Sequence, residues 1–181
     1  MFVCNDDILK IIMPQKEPML LCDGVFKEGF VNKEYKAQYT VGKRRNVAET
    51  AQGLPFIALM EVMAQAVAAV IGLRNIVKEG DDVMKMGLFL AMRNFKVLKR
   101  YDNGFIPKGT VIISKVYLQE NMENIISINA ESYVDDEIIA SAKITVLNPS
   151  ENDIKNVFAK NSEFILKVAT PKLPSVKDLN L

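Results

Sequence analysis

Histidine is absent from all 181 residues, and that absence excludes more than any other feature of the composition. No Ser-His-Asp or Cys-His relay can be assembled within the chain. The acidic runs Asp81-Asp82 and Asp135-Asp136-Glu137 have neither imidazole nor thiolate beside them, so they read as turns and no metal is expected. Cysteine is scarce as well. Cys4 and Cys22 stand alone, outside any C-x-x-C spacing, which argues against a disulfide framework and for reduced thiols in a cytosolic protein. Charge of one sign is lacking too: 23 basic and 22 acidic residues leave a net charge of +1, so the balance invites neither nucleic acid nor an anionic membrane. Asp6 and Asp7, placed before a short apolar run, do not make a secretory leader, and a cytoplasmic location is expected.

What is present is apolar surface. With 49% hydrophobic and 25% charged residues, the chain reads as globular, and its length suits one domain with a substantial core. The run from Leu54 to Val77 dominates it. Between Thr50 and Leu73 the only formally charged side chain is Glu61. Most of these residues favour helix, and Pro55 sits where a first turn tolerates proline. The spacing predicts a helix over 54–77, on the order of 35 Å long at 1.5 Å per residue. Apolar nearly all round, it must be enclosed by protein or span a membrane. Glu61 near the middle and the many alanines argue against a span. Glu61 and Gln65, at i and i+4, share one face, and a carboxyl in such a helix is costly unless something requires it.

The rest of the chain alternates. Residues 5–12 suggest one or two helical turns capped by Asn5, and 14–19, with two prolines, a loop. Leu20 to Phe30 reads as a strand broken by Gly24, followed by a turn near Asn32. Lys33 to Val41 sends Tyr35, Ala37, Tyr39 and Val41 to one side. Gly42 to Gly53 is irregular, and the long helix ends at a turn over 78–82. Strands are expected over 85–99, 110–119, 124–134 and 138–147, with a loop over 100–109. Ser150 and Asp153 suggest a capped short helix, and 161–181 a tail. One apolar helix among about six strands needs a strongly curved antiparallel sheet wrapped around it, an α+β arrangement, with a second subunit covering an edge or the remaining face.

That order of elements resembles the hotdog fold, and E-V-M-A-Q at 61–65 resembles the E-A-M-A-Q signature of 3-hydroxyacyl-acyl carrier protein dehydratases. P-Q-K-E-P-M-L-L-C-D at 14–23 resembles that family's P-H-R-x-P-x-L-L-x-D, and Pro55 stands six residues before Glu61, as the family's proline does. Gly87-Leu88-Phe89-Leu90 and F-I-P-K-G-T at 105–110 resemble the branch found in aryl-polyene clusters. The likeness covers about residues 8 to 149, giving a hotdog domain over 1–149 and a C-terminal helix and tail over 150–181. One departure stands out. The family pairs its helix acid with a histidine from the preceding loop; that position falls near Val47, and a second family histidine is Gln15 here.

Dehydration removes a C2 proton and protonates the departing C3 hydroxyl, which normally takes two tuned groups and a donor on the thioester oxygen. The resemblance assigns Glu61 the acid role, with Gln65 holding the carboxyl or a water. The backbone N–H groups of Phe56 and Ile57 suit the thioester oxygen, and Gln15, Gly87, Leu88 and Phe89 suit substrate contact. Lys43, Arg44 and Arg45 would flank the tunnel mouth and dock an acidic carrier protein or a coenzyme A phosphate, or form a solvated basic loop. No cofactor is implied. Three functions stay open: a dehydratase whose histidine is replaced or supplied by a related subunit across a dimer interface, a thioesterase in which Glu61 alone activates water, and a non-catalytic acyl-binding subunit.

Overall fold

The computed structural model of the chain describes residues 2–4, 6–28, 34–79, 87–119 and 125–147. The expected caps, turns, short helix and tail at Asn5, Asn32, 78–82 beyond Glu79, and 150–181 lie outside these residues. A seven-stranded antiparallel sheet runs in the order β1 (Phe2–Cys4), β2 (Gly24–Phe26), β3 (Tyr35–Thr40), β7 (Val111–Gln119), β8 (Ile125–Val134), β9 (Glu137–Leu147) and β5 (Leu88–Val97). Helix α1 (Asp6–Ile12) follows β1, and the long helix α2 (Leu59–Glu79) lies between β3 and β5 in sequence.

Period-two patterning seats the sheet on the helix. Ala37 and Tyr39 of β3, Ile112 and Val116 of β7, Ile128 and Ala130 of β8, and Ala142 and Ile144 of β9 are all buried, while the residues that alternate with them are more exposed. Two polar residues enter this face and satisfy one another: Ser114 and Ser132 are paired across β7 and β8, with their hydroxyls 3.2 Å apart. The β8–β9 hairpin turns on Asp135 and Asp136, both with positive φ (50° and 62°), the geometry that matches strand twist. α2 fills the concave side. It is long and apolar enough to cross a membrane, yet Val62, Met63, Ala66, Val70 and Leu73 are buried against the sheet and α1.

Three expectations need correction. The α-helix starts at Leu59, not Leu54. Leu54–Pro55 is a two-residue strand, β4, paired with β6 (Phe105–Ile106), and Phe56–Ala58 forms a 3₁₀ turn before α2. A residue before proline is pushed toward extended backbone, and Pro55 itself holds ψ at 145°. The loop expected over 100–109 therefore contains a strand. Finally, of the strand expected over Leu20–Phe30 the described part, up to residue 28, keeps only Gly24–Phe26, because a side chain of α2 occupies the backbone groups around Leu21.

Candidate functional site

That side chain is Gln65. Fully buried on α2, it accepts from the Leu21 N–H through Oε1 (2.6 Å) and donates through Nε2 to the Met19 carbonyl (2.7 Å). The same amide nitrogen donates to Oε1 of Glu61 at 2.8 Å. One residue thus ties the 14–23 loop to the helix and fixes a carboxylate one turn away. Glu61 is only partly buried. Its outer side forms part of the wall of a cavity of about 540 Å³ between α2, the 14–15 segment and strands β5 and β9.

The cavity gathers most of the residues singled out from the sequence: Gln15, Ile57, Glu61, Gly87, Leu88 and Phe89 all lie on its wall. Gln15 presents a buried Oε1 without a hydrogen-bond partner. Glu61 is the sole ionisable side chain on this wall among the described residues; the remainder is apolar apart from Gln15. Ile57 is 68% exposed at the rim. Phe56 does not reach the cavity, since its ring stacks on Tyr101 with centroids 6.0 Å apart. No side chain caps the 3₁₀ turn that begins at Phe56, so its leading N–H groups have no side-chain acceptor there.

The basic triplet divides. Arg44 does not project toward a partner: its side chain is 8% exposed and its guanidinium meets the buried Asp23 carboxylate at 2.9 Å. Asp23 also accepts from the Thr40 N–H at 2.7 Å, so Arg44 and Asp23 join the loop after β3 to the segment before β2. Lys43 is half-exposed and lies 3.5 Å from the same carboxylate, while Arg45 is exposed. The sequence hid this arrangement because Asp23 and Arg44 are 21 residues apart.

The segment 42–49 is ordered by a second polar cluster. The Tyr39 hydroxyl donates to Glu49 and accepts from the Asn46 amide (2.8 Å); Asn46 Oδ1 accepts from the N–H groups of Ala48 and Glu49. Burial, followed by the Glu49 carboxylate beside it, pushes the Tyr39 phenol above its ordinary range. Val47 rides on this frame, 62% exposed, its N–H bonded to the Pro18 carbonyl at 3.0 Å. The loop is well built, and an alkyl side chain stands where the family resemblance places an imidazole. Sequence reasoning missed Met60, Ala64, Ala68, Ile71 and Gly72, which also line the cavity. Ala64, Ala68, Ile71 and Gly72 stand three, seven, ten and eleven residues after Glu61, on its side of the helix, and that spacing was the signal.

A long apolar helix held in a curved antiparallel sheet, with Glu61 facing an apolar cavity, defines a hotdog-fold protein. Within that class the chain belongs to the ApeP-like dehydratase family, which it matches over residues 8–159. Among solved structures it is similar to the dehydratase heterocomplex ApeI:P from Xenorhabdus doucetiae, with 17% identity and a TM-score of 0.66 over 87% of this chain and 97% of that one. It is also similar to a hypothetical thioesterase with coenzyme A from Streptococcus pneumoniae TIGR4, with 12% identity and a TM-score of 0.47 over 65% of this chain and 79% of that one. No curated protein matches it by sequence.

Proposed function

We propose that this chain is the acid-bearing subunit of a cytoplasmic acyl-thioester dehydratase, completed by a histidine-bearing hotdog partner. The observation that carries the reading is Glu61: one carboxylate, anchored by Gln65, on the wall of an otherwise apolar cavity in a chain without histidine. In a bound 3-hydroxyacyl thioester, the protonated Glu61 carboxyl gives its proton to the C3 hydroxyl, the C3–O bond breaks and water leaves. The partner's imidazole takes the C2 proton, and the C2–C3 double bond forms from that electron pair. The uncapped N–H of Ile57, at the cavity rim, receives the charge that develops on the thioester oxygen. Gln15 and the Gly87–Phe89 segment contact the acyl group.

Support for a partner comes from β5. Among the described residues it is an edge strand, and Phe89 and Leu90 on it are about half exposed (52% and 51%), next to the cavity. The ApeI:P heterocomplex is itself an assembly of this kind of protein by name. Lys43 and Arg45 are the residues left to meet the acidic surface of an acyl carrier protein or the phosphates of coenzyme A, with Arg44 holding the loop behind them. The test is to supply 3-hydroxyacyl and enoyl thioesters to the purified chain, alone and co-purified with a histidine-bearing relative, reading both dehydration and thiol release. Dehydration by the pair supports the proposal. Thiol release by the chain alone would instead identify a thioesterase, in which the single carboxylate activates water; silence in both overturns catalysis by Glu61.

A further inference from the structure

The outer face of the sheet, turned away from α2, carries charges that oppose folding. Strand pairing sets Arg93 of β5 directly opposite Lys143 of β9, with Lys96 of β5 opposite Ser141. All three cations are exposed, and among the described residues none has an ion-pair partner. Like charges directly opposite on neighbouring strands repel across Cβ atoms about 4.5–5.5 Å apart. The strand is even bent to keep them there. Simple alternation from Arg93 would turn Phe95 outward and Lys96 into the core. Instead, three steps along β5 from Arg93 to Lys96 match two along β9, and Asn94 takes up the extra position at φ 53°. Arg93, Asn94 and Lys96 are therefore all exposed, and Phe95 packs against the core.

Alongside these cations a groove of about 270 Å³ crosses to β8, with Asn94, Lys96, Asn129, Glu131, Ser141 and Lys143 along it. Its only acid among the described residues, Glu131, already accepts from the Tyr133 hydroxyl at 2.6 Å. The other end of the same face is balanced differently. Lys36 lies opposite Lys115, but Glu34 stands 3.9 Å from Lys36, and Lys115 sits 4.2 Å over the Tyr133 ring. Uncompensated positive charge is thus concentrated on β5 and β9. We infer that this surface docks an acidic helix of a protein partner, on the opposite side of the sheet from the cavity. Carboxylates at i and i+4 of a helix stand about 5–6 Å apart, and neighbouring strands about 4.8 Å. Two such carboxylates can meet Arg93 and Lys143, and a third can meet Lys96 further along β5. A carboxylate stripe laid over the pair converts its repulsion into attraction. Three cations on an open sheet face exceed what one small anion neutralises.

The experiment titrates the full-length chain with a helical peptide carrying glutamates at i, i+4 spacing on one face. A second peptide of the same composition, with its glutamates scattered round the helix, is the control. The striped peptide is expected to bind better. Its affinity should weaken severalfold from about 0.01 to about 0.1 M salt, as the Debye length shortens from about 30 to about 10 Å. Lys143→Glu separates docking from stability. It places an acid opposite Arg93, so melting temperature should rise by about 1–3 °C while affinity for the striped peptide falls roughly three- to tenfold. Lys96→Glu, opposite Ser141, should weaken binding without that gain, and Arg93→Lys should keep both binding and stability. Equal binding of the two peptides, or undiminished binding by Lys143→Glu, overturns the acidic-helix reading. So does tight binding of inorganic phosphate, or self-association, that Lys143→Glu abolishes, since the face then belongs to a small anion or to a second copy. A lower melting temperature for Lys143→Glu removes the repulsion from which the inference starts, and overturns it as well.

Discussion

A carboxyl on the wall of an apolar cavity must be held still without losing its contact with what enters, and Gln65 is what holds it. The two residues separate cleanly by experiment. Glu61→Gln keeps an acceptor for the Gln65 amide, so melting temperature should scarcely change while turnover falls by about 10²–10⁴-fold. Gln65→Leu should do the reverse in kind: it orphans the buried Leu21 N–H, costing about 1–3 kcal/mol, and frees the Glu61 carboxyl to swing. Thermal denaturation beside single-turnover assays checks both, and a Glu61→Gln protein that unfolds early but still turns over would reverse the assignment. The i, i+4 pairing of these residues was legible in the sequence because a helix puts them on one face. Gly87 to Phe89 could be placed only through the family resemblance, since no local period says which strand passes an acid 26 residues earlier. Arg44 was misjudged for a physical reason: a basic loop looks solvated until its buried counter-charge, Asp23, is brought beneath it by the fold.

Among elements, the short β4–β6 pair decides where the long helix begins. Gly53 sits at φ 128° immediately before it, and a Cβ there would stand 2.1 Å from the Ile106 carbonyl oxygen. Both the backbone and the contact therefore forbid a side chain. Gly53→Ala should lower stability by about 2–4 kcal/mol. Gly104→Ala makes the control: φ is 78° and nothing lies within 4 Å of the added carbon, so only the backbone term, about 1 kcal/mol, should be lost. Equal melting temperatures for the two variants would show that the pair does not anchor the helix. Strands β7, β8 and β9 were readable almost to the residue because one face is buried and one wet, and period-two alternation records that difference directly. β2 and the start of α2 were not. In the first case backbone groups are satisfied by a distant glutamine, and in the second a Leu-Pro step is recruited by a strand 50 residues later. Neither partner is visible in a local window.

At the scale of the whole molecule, two buried groups set the alkaline limit. Burial raises the Cys4 thiol, with Cys22 adding to it, and raises the Tyr39 phenol, with Glu49 adding to it. Their unfolded counterparts ionise near ordinary values of about 8.5 and 10. Folded values raised above unfolded ones mean that this stability is complete below about pH 8.5 and is lost as pH climbs, since the unfolded chain gives up its protons first. Melting temperature should hold to about pH 8 and fall from there, with a gentler slope above about pH 10 in Tyr39→Phe. A flat profile to pH 11 would contradict the burial of both groups. The layer arrangement that buries them, one helix inside one curved sheet, was legible from an apolar run among alternating segments. What covers β5 was not, because an edge strand with exposed Phe89 and Leu90 carries no record of its neighbour. That neighbour bears on the last prediction. A homomer of this chain contains no imidazole in any subunit, and Val47 offers nothing in its place. Lacking one general acid–base group, the homomer should dehydrate 3-hydroxyacyl thioesters about 10²–10⁴-fold more slowly than a complex with a histidine-bearing relative. Introducing Val47→His should recover part of that rate only if position 47 of one subunit reaches Glu61 of the next, which co-purification with Glu61→Gln subunits can separate. If the homomer already turns over at the rate of the complex, Glu61 works with water alone and the partner's histidine has no part in the chemistry.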